Sequence, residues 1–152
     1  MLNVAVMGGG PAGLYFGISL KLKNPLANIT IIERNKATDT FGWGVVLSDE
    51  TLSNLENNDP VSAKDIRENF AYWDDIALHH RGKKTLSSGH GFCGIGRHKL
   101  LLILQKRAVE LGINLNFETE AAAASNYMEK YDIVVAADGL NSKTRGEFDN
   151  VF

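Results

Sequence analysis

The spacing of apolar positions changes several times along the chain. Residues 2–7 form a short, nearly unbroken apolar run, the pattern of a strand covered on both faces. A glycine cluster follows at 8–13. Apolar residues then recur at helical spacing, and 29–33 reads as a second strand ending on an acid. Pro11 suits a first helical position, where its missing N–H costs nothing. Asn24-Pro25 stops the helix, because a residue preceding proline avoids the α region. Ser48 is placed to cap a short helix with Asp49 and Glu50 in its first turn. Asp59-Pro60 repeats the capping signal ahead of a helix over 61–70. Residues 73–80 and 83–88 read as two strands of a hairpin about Arg81-Gly82, with Ile76, Leu78 and His80 on one side. A long helix over 97–111 carries a buried stripe of Leu100, Leu101, Leu104, Ala108 and Leu111, and Gly112 ends it. Ile113, Leu115 and Phe117 alternate with asparagines in a strand. A last apolar strand, 132–137, runs into Asp138-Gly139. Strands alternating with helices predict an α/β fold with a central parallel sheet.

The opening unit also carries chemistry. Gly8, Gly10 and Gly13 fall at the positions of a G-x-G-x-x-G turn between a strand and a helix. Gly8 permits the tight turn, Gly10 lets backbone approach a pyrophosphate, and Gly13 lets the helix lie close to the strand. The helix mouth, with Pro11 and Ala12, offers free N–H groups and a positive dipole end to a phosphate. Glu33 lies twenty positions after Gly13, where an acid accepts hydrogen bonds from a ribose diol. A glycine turn by itself is weak, but strand, helix and acid all stand where a dinucleotide site needs them. Asp138 follows another apolar strand. Ligands of open α/β sheets sit beyond the carboxyl ends of parallel strands, so Asp138 is expected on the rim occupied by the glycine turn. Ser142 and Arg145, at i+4 and i+7, are expected on one face of a helix beginning after Gly139.

Composition narrows the classes. The chain has 152 residues, 44% hydrophobic and 22% charged, which fits a globular domain with a real core. A net charge of −2 without a basic run gives no electrostatic footprint for nucleic acid. No apolar stretch approaches the length of a membrane span, and the N-terminus runs straight into the first strand without a basic lead, apolar region and cleavage site, so no signal peptide is expected. Cys93 is the single cysteine, so no internal disulfide forms, and a cytoplasmic location is expected. His79, His80 and His90 do not read as metal ligands. Adjacent strand histidines face opposite ways, and Cys93 offers only one thiolate. Cys93 has no recognisable base either, so no catalytic residue is identified. Two glycine-rich stretches remain. Residues 41–47, with two glycines beside aromatics, fit either a backbone passing something flat or a tight bend. Residues 89–96 lead into Arg97, a cation at a helix start, where the dipole disfavours it. That placement fits a held anionic ligand or a solvated side chain.

Three pieces stand in order: Gly-Gly-Gly-Pro-Ala-Gly with Glu33-Arg34; Gly-Ile-Gly-Arg97 opening a leucine-rich helix; and Ala-Ala-Asp138-Gly-Leu-Asn-Ser142-Lys-Thr-Arg145. Together they resemble the N-terminal half of the FAD-binding domain of the single-component flavoprotein aromatic hydroxylases, the p-hydroxybenzoate hydroxylase-like family. Phe-Gly-Trp-Gly-Val-Val-Leu-Ser-Asp and Gly-His-Gly-Phe-Cys-Gly-Ile-Gly-Arg narrow the resemblance to the branch with salicylyl-CoA 5-hydroxylase and 2-aminobenzoyl-CoA monooxygenase. The resemblance implies a Rossmann-like FAD-binding domain with its pyrophosphate over Gly8 to Gly13 and its adenosine ribose on Glu33. Arg34 is implied beside the adenine and Arg97 at the ribityl–pyrophosphate region. Asp138-Gly139 is implied as the motif linked to FAD and NAD(P)H, and residues 42–46, Gly44 and Val45 among them, beside the isoalloxazine. It implies reduction by NADH or NADPH, then O2-dependent hydroxylation of an aromatic substrate, with an aryl-CoA thioester as one candidate. Family members run well over twice this length, with a second Gly-Asp motif and most of a substrate-binding sheet to follow. The expectation is a fragment or truncated relative that keeps the adenosine half of the site, without turnover. Another FAD- or NAD-dependent oxidoreductase and an inactive nucleotide-binding module are the alternatives.

Overall fold

A computed structural model describes residues 1–151, with every side chain among them except that of Asp49. The expected place of the Asp49 carboxylate at a helix start therefore lies outside the described side chains. The chain divides into two compact units, one of residues 1–40 with those from Leu100 onward, the other of Phe41–Lys99.

The first unit is built on a four-stranded parallel sheet. β1 (Asn3–Met7), β2 (Asn28–Ile32), β8 (Asn114–Asn116) and β9 (Ile133–Ala136) stand in the order β8-β2-β1-β9. β1 is hydrogen-bonded on both sides, Val4 opposite Ile29 and Ile133, Met7 opposite Ile32 and Ala136. Val4, Ala5 and Val6 are fully buried, which explains the unbroken apolar run. α1 (Pro11–Lys23) buries Leu14 and Ile18, each stabilising the unit by roughly 1.5–3 kcal/mol. Gly17 presses that helix against β2, where an added Cβ would lie 3.1 Å from the Ile31 side chain. α1 stops as expected at Asn24, whose N–H donates to the Leu20 carbonyl at 2.7 Å. α4 (Arg97–Glu110) buries Leu100, Leu101, Leu104 and Ala108 of the expected stripe, with Ile103 in addition, while Leu111 lies just past its end and is only half-buried. α5 (Ala124–Met128) and α6 (Lys143–Glu147) are short. The Glu147 carboxylate joins them by accepting the Ala124 and Ser125 N–H groups at 2.7 and 3.1 Å.

The second unit holds a three-stranded antiparallel sheet. Its middle strand β7 (Phe92–Gly96) lies between β3 (Gly44–Leu47) and β4 (Ala71–Trp73). α2 (Asp49–Asn58) and α3 (Pro60–Arg67) start at their expected caps. Ser48 Oγ accepts the Thr51 N–H, and the Asp59 carboxylate accepts that of Ser62. α3 ends three residues short of Phe70, because the N–H groups of Asn69 and Phe70 turn to carbonyls three residues back. The expected strand over 73–80 is two strands. Asp74 breaks it by accepting the His90 N–H on its carbonyl and the Gly91 N–H on its carboxylate, both at 3.1 Å. Trp73 therefore belongs to β4, and only β5 (Ile76–His80) pairs with β6 (Lys83–Ser87) in the expected hairpin. Every residue of that hairpin is exposed. Cys93 is buried in β7, its thiol directed to the Leu47 carbonyl. Among the described residues, no helix is long and apolar enough to cross a membrane.

Candidate functional site

The C-terminal ends of β1, β2 and β9 form one rim of the first unit, and the candidate residues of that unit gather there. The three motif glycines do different work. Gly8 has φ +112°, and a Cβ on it would stand 2.2 Å from the Ala137 carbonyl oxygen. A Cβ on Gly13 would stand 2.0 Å from the Gly8 carbonyl oxygen and 3.2 Å from a Val6 methyl. Both positions are closed by the chain itself. At Gly10, a Cβ would meet nothing within 4 Å. Gly10 is also the N-cap of α1, in extended conformation, and the first intrahelical bond runs from the Leu14 N–H to its carbonyl at 3.0 Å. Pro11 has no N–H, so Ala12 and Gly13 supply the first-turn amides without an intrahelical acceptor.

Glu33 follows β2 and turns toward this loop. Its Oε2 accepts the Gly9 N–H at 2.8 Å, and its Oε1 accepts both the N–H and the side-chain amide of Asn35, at 2.9 and 2.7 Å. Gly9 is thereby committed to the acid, and a Cβ on it would lie 2.8 Å from the Glu33 Cβ. Arg34 is exposed and contributes to the field around Glu120, whose carboxyl is held low chiefly by its hydrogen bond and ion pair with Lys143.

Asp138 reaches the same rim as expected, its backbone nitrogen 3.1 Å from the Cβ position of Gly8. Its carboxylate is turned inward along the chain. The N–H and hydroxyl of Thr144 donate to it at 3.2 and 3.1 Å. Partial burial raises its pKa, but the hydrogen bonds from Ser142 and Thr144 outweigh that and hold the carboxyl below the ordinary aspartate value. Ser142 and Arg145 do not share a helical face. α6 begins only at Lys143, and Ser142 is its N-cap, accepting the Arg145 N–H at 2.9 Å. Gly139, with φ +79°, gives the chain the turn that delays the helix. The Arg145 guanidinium donates to the Leu140 carbonyl.

The second unit carries the remaining candidates. Residues 42–46 include the start of β3, where Gly44 faces Gly96 and Val45 faces Ile95. The Arg97 N–H donates to the Trp43 carbonyl at 3.1 Å, and its Cδ lies 3.5 Å from the Cβ position of Gly42. The Arg97 Nε is buried with no hydrogen-bond partner. It is an unpartnered polar atom inside the second unit.

A family model described as an FAD binding domain matches residues 1–150. The chain belongs to the FAD binding domain family. Within that family it is 37% identical over 151 residues to a salicyloyl-CoA 5-hydroxylase from a Streptomyces species, across 99% of this chain and 29% of that protein. It is 35% identical over 147 residues to the protodeoxyviolaceinate monooxygenase of Chromobacterium violaceum, across 94% of this chain and 39% of the relative. A crystal structure of a variant of 2-methyl-3-hydroxypyridine-5-carboxylic acid oxygenase superposes with a TM-score of 0.82 at 25% identity, over 97% of this chain and 42% of that one. This FAD-binding chain therefore spans well under half the length of the relatives it matches. The resemblance to flavoprotein aromatic hydroxylases and the α/β fold with a parallel sheet are both borne out. Sequence reasoning passed over Gly9, Asn35 and Thr144. Only Gly9 left a signal, as the middle member of a glycine triplet.

Proposed function

We propose that this chain is the FAD-binding part of an NAD(P)H-dependent flavoprotein monooxygenase that hydroxylates an aromatic substrate. The observation that carries the reading is the contrast at the glycine turn. Gly8 and Gly13 are required by the protein's own backbone, while Gly10 faces open space beside a carboxylate held at the loop. A nucleotide pyrophosphate fits such an opening, with the Ala12 and Gly13 amides as donors. Glu33 then accepts a hydroxyl of the adenosine ribose, and Arg34 lies by the adenine. Asp138-Gly139 completes that rim, and Arg97, Gly44 and Val45 are the second unit's candidates for flavin contacts. Bound FAD supplies the redox chemistry, passing electrons from NADH or NADPH to O2 for ring hydroxylation. The chain's residues bind, orient and shield it. The name of the Streptomyces relative makes an aryl-CoA thioester the first substrate class to test. A cytoplasmic location accords with the single buried, unpaired cysteine.

The test is titration of the 152-residue chain with FAD. Quenching of flavin fluorescence is expected, without hydroxylated product when NADH or NADPH and an aromatic acid are added. Unchanged fluorescence at saturating protein overturns the reading and leaves a module that holds no flavin.

A further inference from the structure

The Glu33 carboxylate is ordered from two sides, and one of them has no part in the glycine motif. The backbone around it is pinned first. The Glu33 N–H donates to the Asn116 carbonyl at 2.8 Å, and the Thr119 N–H donates to the Glu33 carbonyl at 3.0 Å. The Glu118 N–H donates to the Asn35 carbonyl at 3.1 Å, so the segment after β8 also fixes Asn35. From that anchored position Asn35 directs two donors, its N–H and its side-chain amide, onto the single oxygen Oε1. Gly9 holds the other oxygen. A carboxylate has about four acceptor directions. Three are filled from within the chain, and one on Oε2 is left for a ligand hydroxyl. A free glutamate rotates about three torsions, and a contact made by an unheld group loses that freedom on binding.

We propose that Asn35 is a positioning residue for nucleotide recognition. Its side-chain amide locks the Glu33 carboxylate against the glycine loop and so sets the discrimination for a ribose hydroxyl. The inference rests on the reading of Glu33 as the ribose acceptor, and goes beyond it by assigning selectivity to a residue outside the turn and the acid. A carboxylate held at one oxygen by two donors cannot swing to follow a ligand lacking hydroxyls. The lock therefore bears on the ratio between hydroxylated and deoxygenated nucleotides more than on phosphate binding.

Calorimetry of the 152-residue chain with ADP and with 2′,3′-dideoxy-ADP tests this. The wild-type chain is expected to prefer ADP by at least roughly tenfold, the scale of hydrogen bonds to a charged acceptor. In Asn35→Ala the preference falls to within about threefold. Asn35→Asp keeps the size and shape of the side chain but replaces the donor by an acceptor. It is expected to lose the preference as fully as alanine does and to weaken ADP binding further by repelling Glu33. A packing role would instead leave Asn35→Asp close to wild type. Circular dichroism establishes that each variant is folded, and the aspartate variant carries the test if the alanine variant is not. Wild-type discrimination retained in folded Asn35→Asp overturns the proposal. Equal binding of the two nucleotides by the wild-type chain overturns the Glu33 reading, and the proposal with it.

Discussion

At the scale of single residues, the glycine turn separates positions the fold needs from positions a ligand needs. Gly10→Ala adds a methyl that meets no protein atom. It is expected to cost no more than about 1 kcal/mol, the scale of the N-cap preference for glycine over alanine, and so to lower the thermal midpoint only slightly. The same change should weaken FAD by about tenfold or more, read by fluorescence titration, because it fills the space a pyrophosphate approaches. Gly13→Ala drives a methyl into the Gly8 carbonyl and should destabilise the chain by about 3 kcal/mol in urea unfolding. Equal loss of stability in the two variants contradicts the division. Glu33→Gln keeps the side-chain volume and removes the charge that attracts hydroxyl donors. It should weaken FAD by about tenfold, with the fold intact by circular dichroism. Gly8, Gly10, Gly13 and Glu33 were legible in the sequence because spacing alone sets their geometry. Asn35 and Thr144 were not, because their work depends on which atoms the folded chain brings to a carboxylate.

At the scale of elements, the start of α6 depends on charge. Asp138 accepts from Thr144, and its carboxyl sits below the unfolded value of about 4. A group whose folded pKa is depressed stabilises the chain fully above its unfolded pKa and loses that contribution as pH falls through the folded one. Stability should therefore hold above about pH 5 and decline as pH drops below 4, with Glu120 and Glu147 adding to the same slope. Urea midpoints across pH 3–7 measure it. Asp138→Asn should lower the plateau and flatten part of the slope, and an unchanged slope refutes the assignment to Asp138. Elements were legible where one signal dominated. β1, α1, β2, α4 and β9 each follow from an apolar period with a cap or a breaker. β3 and β7 escaped because their sequences are glycine-rich, and glycine ordinarily weakens a strand. Gly94 is there for a packing reason no local pattern reveals, since a Cβ on it would lie 3.1 Å from the Trp73 ring. α6 was expected too early because a helix beginning after Gly139 ignored Ser142 as its cap.

At the scale of the whole molecule, the second unit exposes much of its apolar material. Trp43 is 99% accessible, and Phe41, Tyr72, Leu78 and Leu86 are exposed with it. An apolar dye should therefore gain fluorescence with the folded chain, and Phe41→Ser with Trp43→Ser should reduce the gain without lowering the thermal midpoint. A dye signal unchanged by the double substitution places the apolar surface elsewhere. The order of strands in the first unit has a further consequence, for how the chain is made. β1 finds β2 within thirty residues, but its other neighbour, β9, is about 130 residues away along the polypeptide. On a ribosome adding 5–20 residues per second, one side of β1 waits on the order of ten seconds for its partner. Throughout that interval the nascent protein carries an unsatisfied margin on a strand that ends fully buried, a natural site for chaperone engagement during translation.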